Sequence, residues 1–269
     1  MDEFQQHKRL LEQTYDRLNR RELVHPDPLE FLYFFEDPLD REAAGLVAAC
    51  LAYGRVAHIL RSVWRVLARL GPRPARTLQE TCPYRICRHV EHFRHRFQTG
   101  RDVASLLMGI RNVQMDCGSL QACFTEALQP DDANVLPALR HLVAELDRAA
   151  GTRIEHLLPD PSKTSACKRL HLFLRWMVRR DDVDPGGWSE VPKRKLIVPL
   201  DTHMHKMGQS MGLTARKSAD LRTAIEVTRG FAAWCPEDPV RYDFALTRLG
   251  IRREMQPEEF LRRWNEAKL

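Results

Sequence analysis

The segment 196–213, LIVPLDTHMHKMGQSMGL, offers Asp201 as a residue that could do chemistry. An apolar run leads into Asp201, and Asp is a strong N-cap residue because its carboxylate accepts the orphan N–H groups of a helix's first turn. Three methionines follow at helical spacing and predict one buried face: Met204, Met207 and Met211. Asp201 is therefore expected at a helix start, either as a cap alone or as a catalytic carboxylate.

The letters DTHMH also allow a metal site. An apolar run that ends in Asp-x-His-x-His resembles a strand end of amidohydrolase barrels, where Asp201, His203 and His205 would bind the metal of a hydrolase. The two histidines point the same way on a strand but lie about 200° apart on a helix. Such a barrel needs roughly 250 residues, and only 64 residues follow His205.

Lys168 is the second residue that could do chemistry. If Ser165 caps the helix that follows, Lys168 lies at N3, where a capping box would place Glu or Gln. A cation in the first turn opposes the helix dipole, and Arg169 beside it adds like-charge repulsion. Both effects favour the neutral amine, which is the nucleophilic form of lysine. The alternative is a solvated basic helix face shared with Arg175 and Arg179.

Composition limits the class of protein. A chain of 269 residues that is 43% hydrophobic is expected to form a globular unit with a sizeable core. No apolar run approaches the ~20 residues of a membrane span, and the polar start Met1–Lys8 does not predict a signal peptide. The net charge of +6 permits a polyanionic partner. The seven cysteines are scattered, which favours reduced thiols in a cytoplasm.

Almost every stretch predicts a helix, so an all-α fold in one globular unit (1–269) is expected. The basic and aromatic run Arg85–Arg101 could track a phosphate backbone, but a solvated helix face is favoured. Five further expectations concern single elements: a helix over Asp2–Arg21, a short helix begun by Asp27-Pro28, a helix capped by Asp40, a short helix over Thr152–Leu158, and a hairpin over Asp160–Thr164.

The segment PLDTHMHKMGQSMGL resembles the V-D-x-H-x-x-R-x-x-x-R-x-G segment of helix-hairpin-helix (HhH-GPD) DNA glycosylases, the superfamily of endonuclease III and 8-oxoguanine glycosylase. On this match Asp201 takes the place of the catalytic aspartate, His203 matches the histidine, and Lys206 stands where an arginine is usual. Lys168 follows the expected hairpin directly, as does the catalytic lysine of bifunctional members. The spacing of 33 residues between Lys168 and Asp201 is long and resembles the archaeal 8-oxoguanine glycosylases.

The resemblance implies a two-lobed helical fold with the active site in the cleft between the lobes. Residues 40–180 would form a helical barrel lobe that includes the helix-hairpin-helix at about 152–180. Residues 1–39 with 196–269 would form the second lobe. No cofactor and no iron–sulfur cluster are expected, because the C-terminal four-cysteine signature of endonuclease III is missing.

The same resemblance implies a DNA-repair glycosylase, with or without AP lyase activity, that removes a damaged base such as an oxidised purine. Lys168 would attack C1′ and Asp201 would stabilise the cationic sugar. Tyr53 and Arg55, in the polar break AYGR, could fill or stack behind a flipped base, and Trp188 could act as a lid. Phosphate contacts are expected from a further set: Ser162, Lys163, Thr164, Arg169, His203 and Lys206. Pro161 in the hairpin has no N–H to donate to a phosphate.

The implied partner is DNA, as damaged duplex or single strand, bound by a monomer at the nucleoid in the cytoplasm and not at a membrane. The 169–180 helix and the cluster Lys193-Arg194-Lys195 are expected to carry part of this binding. A non-catalytic helical DNA- or RNA-binding module remains an alternative, which would tolerate the loss of Asp201. The second alternative is the metal-dependent hydrolase that would use Asp201, His203 and His205.

Longer stretches resemble a bacterial family of unknown function: AYGR, SACKRLHLFLRWMVRRDDVDPGGW, LIVPLDTHMH and DPVRYDFALTRLGI. In the last of these, Tyr242 and Asp243 are interpreted as packing and surface residues.

Overall fold

The structure is a computed structural model that describes residues 2–154, 156–251, 255 and 257–267. The described part is 63% helical, which confirms the all-α prediction. Its α-helices are α1 (Glu3–Leu18), α2 (Pro38–Cys50), α3 (Val56–Leu70), α4 (Pro74–Glu80), α5 (Pro83–Val90), α6 (Gly100–Cys117), α7 (Leu120–Thr125), α8 (Leu136–Ala150), α9 (Lys168–Val178), α10 (Thr202–Ser210), α11 (Leu221–Trp234), α12 (Asp243–Ile251) and α13 (Pro257–Glu266). Three 3-10 helices, Arg21–Leu23, Pro28–Phe34 and Lys193–Lys195, and the short strands β1 (Arg94–His95) and β2 (Gln98–Thr99) complete it.

A continuous hydrophobic core connects these helices. The helix α2 packs on α9 and on the 3-10 helix Pro28–Phe34, while α6 packs on α8. The N-terminal α1 packs on α12 and α13, and α10 packs on α12. The chain therefore folds back so that α12 lies between the N-terminal helix and the helix that follows Asp201. None of the helices in the described ranges has both the length and the hydropathy of a bilayer-crossing segment.

Aspartates define several helix starts, but not at every position that the sequence suggests. Asp37 caps α2, because its Oδ1 accepts the N–H groups of Leu39 and Asp40 at 2.8 and 3.3 Å. The prediction that Asp40 caps this helix is wrong, since Pro38 at N1 starts it three residues earlier. Asp40 instead accepts the N–H of Ala75 at 2.8 Å and ties α2 to α4.

The run Arg85–Arg101 is only partly helical, so the prediction of one solvated helix face is wrong. After α5 the chain forms the antiparallel hairpin β1–β2 with Arg96 and Phe97 at its tip. His95 is buried, and both of its ring nitrogens have partners. Its Nε2 lies 3.1 Å from the carbonyl of Tyr53, and its Nδ1 lies 2.9 Å from the hydroxyl of Ser62. A carbonyl can only accept, so Nε2 donates; burial lowers the pKa of the ring and favours its neutral form, in which Nδ1 accepts from Ser62. This neutral ring fastens the hairpin to the break between α2 and α3.

The expected short helix over Thr152–Leu158 is not found in its described residues (Glu155 lies outside them). The carbonyl of Ile154 instead accepts N–H groups from Leu157 and Leu158 in a turn. The expected hairpin does form a tight turn, since the N–H of Ser162 donates to Asp160 Oδ1 at 2.9 Å. The prediction of a helix-hairpin-helix over 152–180 is therefore wrong in its first helix, because two turns replace it.

A buried ion network anchors α9 to the segments around it. Arg175 pairs with Asp184 at 3.2 Å and with Asp243, and Arg179 pairs with Asp184 and, at 3.0 Å, with Asp238. Both guanidinium groups are almost fully buried, so they do not belong to a solvated basic face. They also cannot contribute to DNA binding by the 169–180 helix, and that prediction is wrong for these two arginines.

Candidate active site

A pocket of about 110 Å³ lies where α9, α12 and the start of α10 meet the 3-10 helix Pro28–Phe34. Its apolar wall includes Ile59, Leu172 and Phe244. Lys168, Leu172 and Arg175 line it from one face of α9, because residues four and seven positions apart lie above each other on a helix. The charged lining residues are Asp27, Lys168, Arg175, Asp201, Asp243 and Arg248.

Lys168 and Asp201 lie together at this pocket, as the sequence predicts. The Nζ of Lys168 is 3.5 Å from Oδ2 of Asp201, although the two residues come from different helices. About a third of the lysine side chain is exposed, and the carboxylate is half as exposed. An amine and a carboxylate therefore meet in a partly desolvated position that solvent or a ligand can still reach.

The helix start at Lys168 differs from the expected one. Cys167 is the N-cap of α9 and Lys168 is its first residue, so the predictions of a Ser165 cap and of Lys168 at N3 are wrong. Cys167 has a φ of +45°, which is a left-handed backbone conformation. This conformation is energetically unfavourable for residues other than glycine. This turn directs the Lys168 side chain from the start of α9 towards Asp201.

The two oxygens of Asp201 have separate partners. Its Oδ1 accepts the N–H of Met204 at 2.8 Å and caps α10, while Oδ2 faces Lys168. The cap fixes the orientation of the carboxylate, because one oxygen is held by the backbone of the helix it begins. The predicted cap and the predicted pairing with Lys168 thus exist side by side.

Asp243 is a pocket residue that the sequence analysis missed. It is almost fully buried, Oδ2 pairs with Arg175, and Oδ1 has no hydrogen-bond partner among the described residues. Burial, opposed by Arg175 and helped by the nearby Asp201, raises the pKa of this carboxyl to about 6. The interpretation of Asp243 as a surface residue is wrong, because the residue belongs to the pocket wall and its Oδ1 is buried beneath the pocket surface.

The raised pKa makes a prediction for stability. A carboxyl whose pKa is higher in the folded than in the unfolded chain stabilises the fold when protonated, and that stability is lost as the pH rises through about 6. We therefore expect the stability advantage of the wild type over Asp243→Asn to fall between about pH 4 and about pH 7. Urea unfolding of both proteins across this range measures it, and an advantage that grows with pH would contradict the assignment.

Comparison with known proteins adds one result. The family model described as a protein of unknown function, DUF2400, matches residues 27–252. The chain belongs to this family. The matched range includes every residue of the pocket, from Asp27 to Ile251, whereas α1 and α13 lie outside it. No curated protein and no solved structure matches the chain.

In this DUF2400 chain, Tyr53 and Arg55 lie beside the pocket and do not line it. The hydroxyl of Tyr53 donates to the carbonyl of His95 at 3.2 Å, and Arg55 is exposed at the start of α3. Arg169, next to Lys168, covers the ring of Tyr53 at 5.1 Å. Its guanidinium donates to the carbonyls of Cys50 and His156, so its donors serve the fold and the predicted phosphate contact is not supported.

Trp188 is not a lid. Its side chain is buried against Phe124 and Phe173, and its Nε1 donates to Glu42 at 2.9 Å. Glu42 also accepts the N–H of Leu120, so the indole belongs to a buried hydrogen-bonded group that is distinct from the pocket. The prediction is wrong because the glycine-rich loop around Trp188 folds its aromatic residue inwards.

The other predicted phosphate contacts are exposed but do not converge on the pocket. Ser162, Lys163 and Thr164 lie in the turn before α9, while His203 and Lys206 lie on α10. Lys195, by contrast, is buried and its Nζ donates to the carbonyl of Pro130 at 3.0 Å. It is therefore removed from the basic cluster in which the sequence places it.

The segment DTHMH forms the start of α10 and no strand, which opposes the metal alternative. His203 is exposed, whereas the Nε2 of His205 donates to the carbonyl of Arg216 at 2.9 Å. Within the described ranges, no group of three or more His, Cys, Asp or Glu side chains is arranged to hold a metal ion. The two histidines therefore do not converge with Asp201.

Proposed function

We propose that this protein is a DNA glycosylase, with lyase activity, that removes a damaged base through Lys168. The observation that carries the proposal is the 3.5 Å approach of the Lys168 amine to the Asp201 carboxylate at a pocket. A lysine nucleophile needs a neutral amine and a group that accepts its proton. The Asp201 carboxylate, 3.5 Å from the amine, can accept the proton that Lys168 loses when it attacks.

In the proposed reaction, the damaged nucleotide leaves the base stack and enters the pocket. The nitrogen of Lys168 attacks C1′, the glycosidic bond breaks, and the base departs with its bonding electrons and a proton. Opening of the sugar ring leaves an imine between Lys168 and C1′, from which elimination cleaves the strand. Asp201 accepts a proton from the amine and passes it to the departing base, and the regenerated carboxylate stabilises the positive charge on the sugar.

The pocket itself supports a choice of base. Asp243 Oδ1 is an acceptor without a partner among the described residues, and Ile59 and Phe244 provide apolar wall. This oxygen is buried beneath the pocket surface, so a base reaches it only if a lining side chain moves. A base that then presents an N–H group to Asp243 would satisfy this acceptor, whereas a base that presents a carbonyl would leave two acceptors facing each other. This favours bases with lactam N–H groups, which include oxidised guanine. We propose the two-lobed HhH-GPD-like arrangement, with this pocket between the lobes, on the same basis.

The experiment is a cleavage assay on a panel of duplexes that each contain one damaged base or an abasic site. Asp201→Asn should cleave at least about 100-fold more slowly than the wild type, because it loses the charge that assists the reaction. The amide keeps an oxygen for the cap, so the free energy of unfolding should change by less than about 1 kcal/mol.

Asp220 provides a matched control for Asp201. It also caps a helix, α11, through a carboxylate oxygen that lies 2.9 Å from the N–H of Thr223, with closely similar backbone angles. Asp220→Asn should therefore keep full activity. Equal rates for the two variants, or no cleavage of any duplex, would contradict the proposal. DNA binding without cleavage would favour a non-catalytic binding module.

A further inference from the structure

The positive charge of this chain is concentrated in one segment, residues 55–101. It contains eleven arginines, no lysine and two glutamates, so it carries +9 whereas the whole chain carries +6. All eleven arginines are exposed: Arg55, Arg61, Arg65, Arg69, Arg73, Arg76, Arg85, Arg88, Arg94, Arg96 and Arg101. The glutamates lie close to two of them, Glu80 to Arg76 at 2.7 Å and Glu91 to Arg88 at 3.1 Å. We call the exposed side of this segment the arginine surface.

Exposed aromatic side chains accompany these arginines. Trp64, Tyr84 and Phe97 are 57%, 71% and 80% exposed, and all three belong to the arginine surface. Apolar rings of this size are usually buried, and exposed rings beside cations are typical of binding surfaces. Arg96 at the hairpin tip lies over the ring of Phe97 at 5.7 Å, so cations and rings are already in contact.

The fold arranges these residues around two grooves that share one helix. In the first groove, Trp64, Arg65 and Arg69 of α3 face Arg88 and His92, from α5 and the turn after it. The second groove lies on the other side of α5, where Tyr84 and Arg88 face Arg101 at the start of α6. Arg88 lines both, so the arginine surface continues across α5.

The hairpin tip connects the arginine surface to the pocket. Arg96 lies 5.9 Å from the centre of the Tyr53 ring, and Arg169 covers the same ring at 5.1 Å. Both partners in this contact adjoin pocket residues in the chain. Arg169 follows Lys168, and Tyr53 follows Ala52, and both Lys168 and Ala52 line the pocket. A nucleic-acid strand bound along the arginine surface could thus pass over Tyr53 and reach the pocket.

We propose that the arginine surface binds single-stranded nucleic acid. Guanidinium groups bind phosphate oxygens bidentately and also stack on bases. This explains why the cations of the segment are all arginines and none is a lysine. Exposed rings can stack on bases only where those bases are unpaired, which favours a single strand over a duplex. An amphipathic membrane-binding surface separates its rings from its cations, whereas here Trp64 and Tyr84 lie in the same grooves as the arginines, as alternating phosphates and bases require. The inference rests on charge and exposure, and it holds whether or not Lys168 is a nucleophile.

The test is fluorescence anisotropy with an undamaged single strand of roughly 16 nucleotides. The triple variant Arg65→Gln, Arg69→Gln, Arg88→Gln should bind at least about tenfold more weakly, and its salt slope should fall by about 2, from roughly 0.7 per lost phosphate contact. The control triple Arg9→Gln, Arg17→Gln, Arg222→Gln removes the same charge from exposed positions elsewhere and should bind as the wild type does.

Trp64→Ala separates stacking from charge. It should weaken binding of the single strand by about 5- to 100-fold and leave the salt slope unchanged. The matching duplex and vesicles with anionic lipid should be insensitive to this variant. Equal losses in the two arginine triples, or a Trp64→Ala variant that binds the strand normally, would overturn the proposal. Binding of the undamaged strand requires no cleavage, so a failure of the proposed catalysis stays distinguishable from a failure of this proposal.

Discussion

Replacing Lys168 with glutamine is expected to reduce cleavage of a damaged duplex by at least about a thousandfold, because the amine that attacks C1′ is lost. Affinity for the same duplex should stay nearly unchanged, since glutamine keeps most of the side-chain volume and only one positive charge is lost. Single-turnover cleavage and binding titrations measure the two quantities separately.

Lys163→Gln is the control for this prediction. Lys163 is exposed in the turn before α9 and lies five residues from Lys168, so its loss removes a similar charge from the same region. It should cleave at nearly the wild-type rate. Cleavage that survives in Lys168→Gln and is lost in Lys163→Gln would assign the nucleophile to the turn.

The second large effect is on stability. Arg179→Met should lower the free energy of unfolding by about 3–5 kcal/mol, because it removes one partner from a buried ion network. Arg179 lies within ion-pair distance of Asp181, Asp184 and Asp238, and Asp184 is fully buried. The surrounding carboxylates keep the pKa of this arginine raised, so the guanidinium is charged whenever the protein is folded.

The neighbouring Arg180 supplies a matched control for that measurement. It is exposed, so Arg180→Met should change the free energy of unfolding by less than about 0.5 kcal/mol. Chemical denaturation of the two variants compares them directly. If both variants lost equally little free energy of unfolding, the ion pairs of Arg179 would stabilise the fold no more than a packed methionine side chain does.

Local chemistry made much of the fold predictable. Aspartate caps and apolar spacing act over one or two turns, so the starts of α1 and α10 and the extent of α8 follow from short stretches of sequence. The approach of Lys168 to Asp201 was predicted from a resemblance carried by few residues. Local rules could not supply it, because the two residues are 33 positions apart.

Pairing between distant segments accounts for most of the wrong predictions. Arg175 and Arg179 look like surface residues in the sequence, because arginine is almost never fully buried unless it is paired. Their partners Asp238 and Asp243 lie about 60 residues further on, and no pattern within α9 reveals them. Asp243 was missed for the same reason. One signal was present, since this aspartate stands in the largely apolar stretch VRYDFAL.

Two other differences have causes that the sequence shows only in retrospect. The hairpin β1–β2 depends on His95, whose ring bonds to Tyr53 and Ser62 over 30 positions away, so a basic run alone predicts a helix face. Trp188 follows two glycines with positive φ, Gly186 and Gly187, which turn the chain and bring its indole to Glu42.

The central claim is that Lys168 forms a covalent bond to the sugar of a damaged nucleotide. Borohydride reduction during turnover, followed by peptide mapping of the trapped protein–DNA adduct, tests this most directly. We predict one adduct, located on the peptide that contains Lys168, and none in the Lys168→Gln protein. An adduct located on another lysine, or no adduct with any damaged base or abasic site, would contradict it.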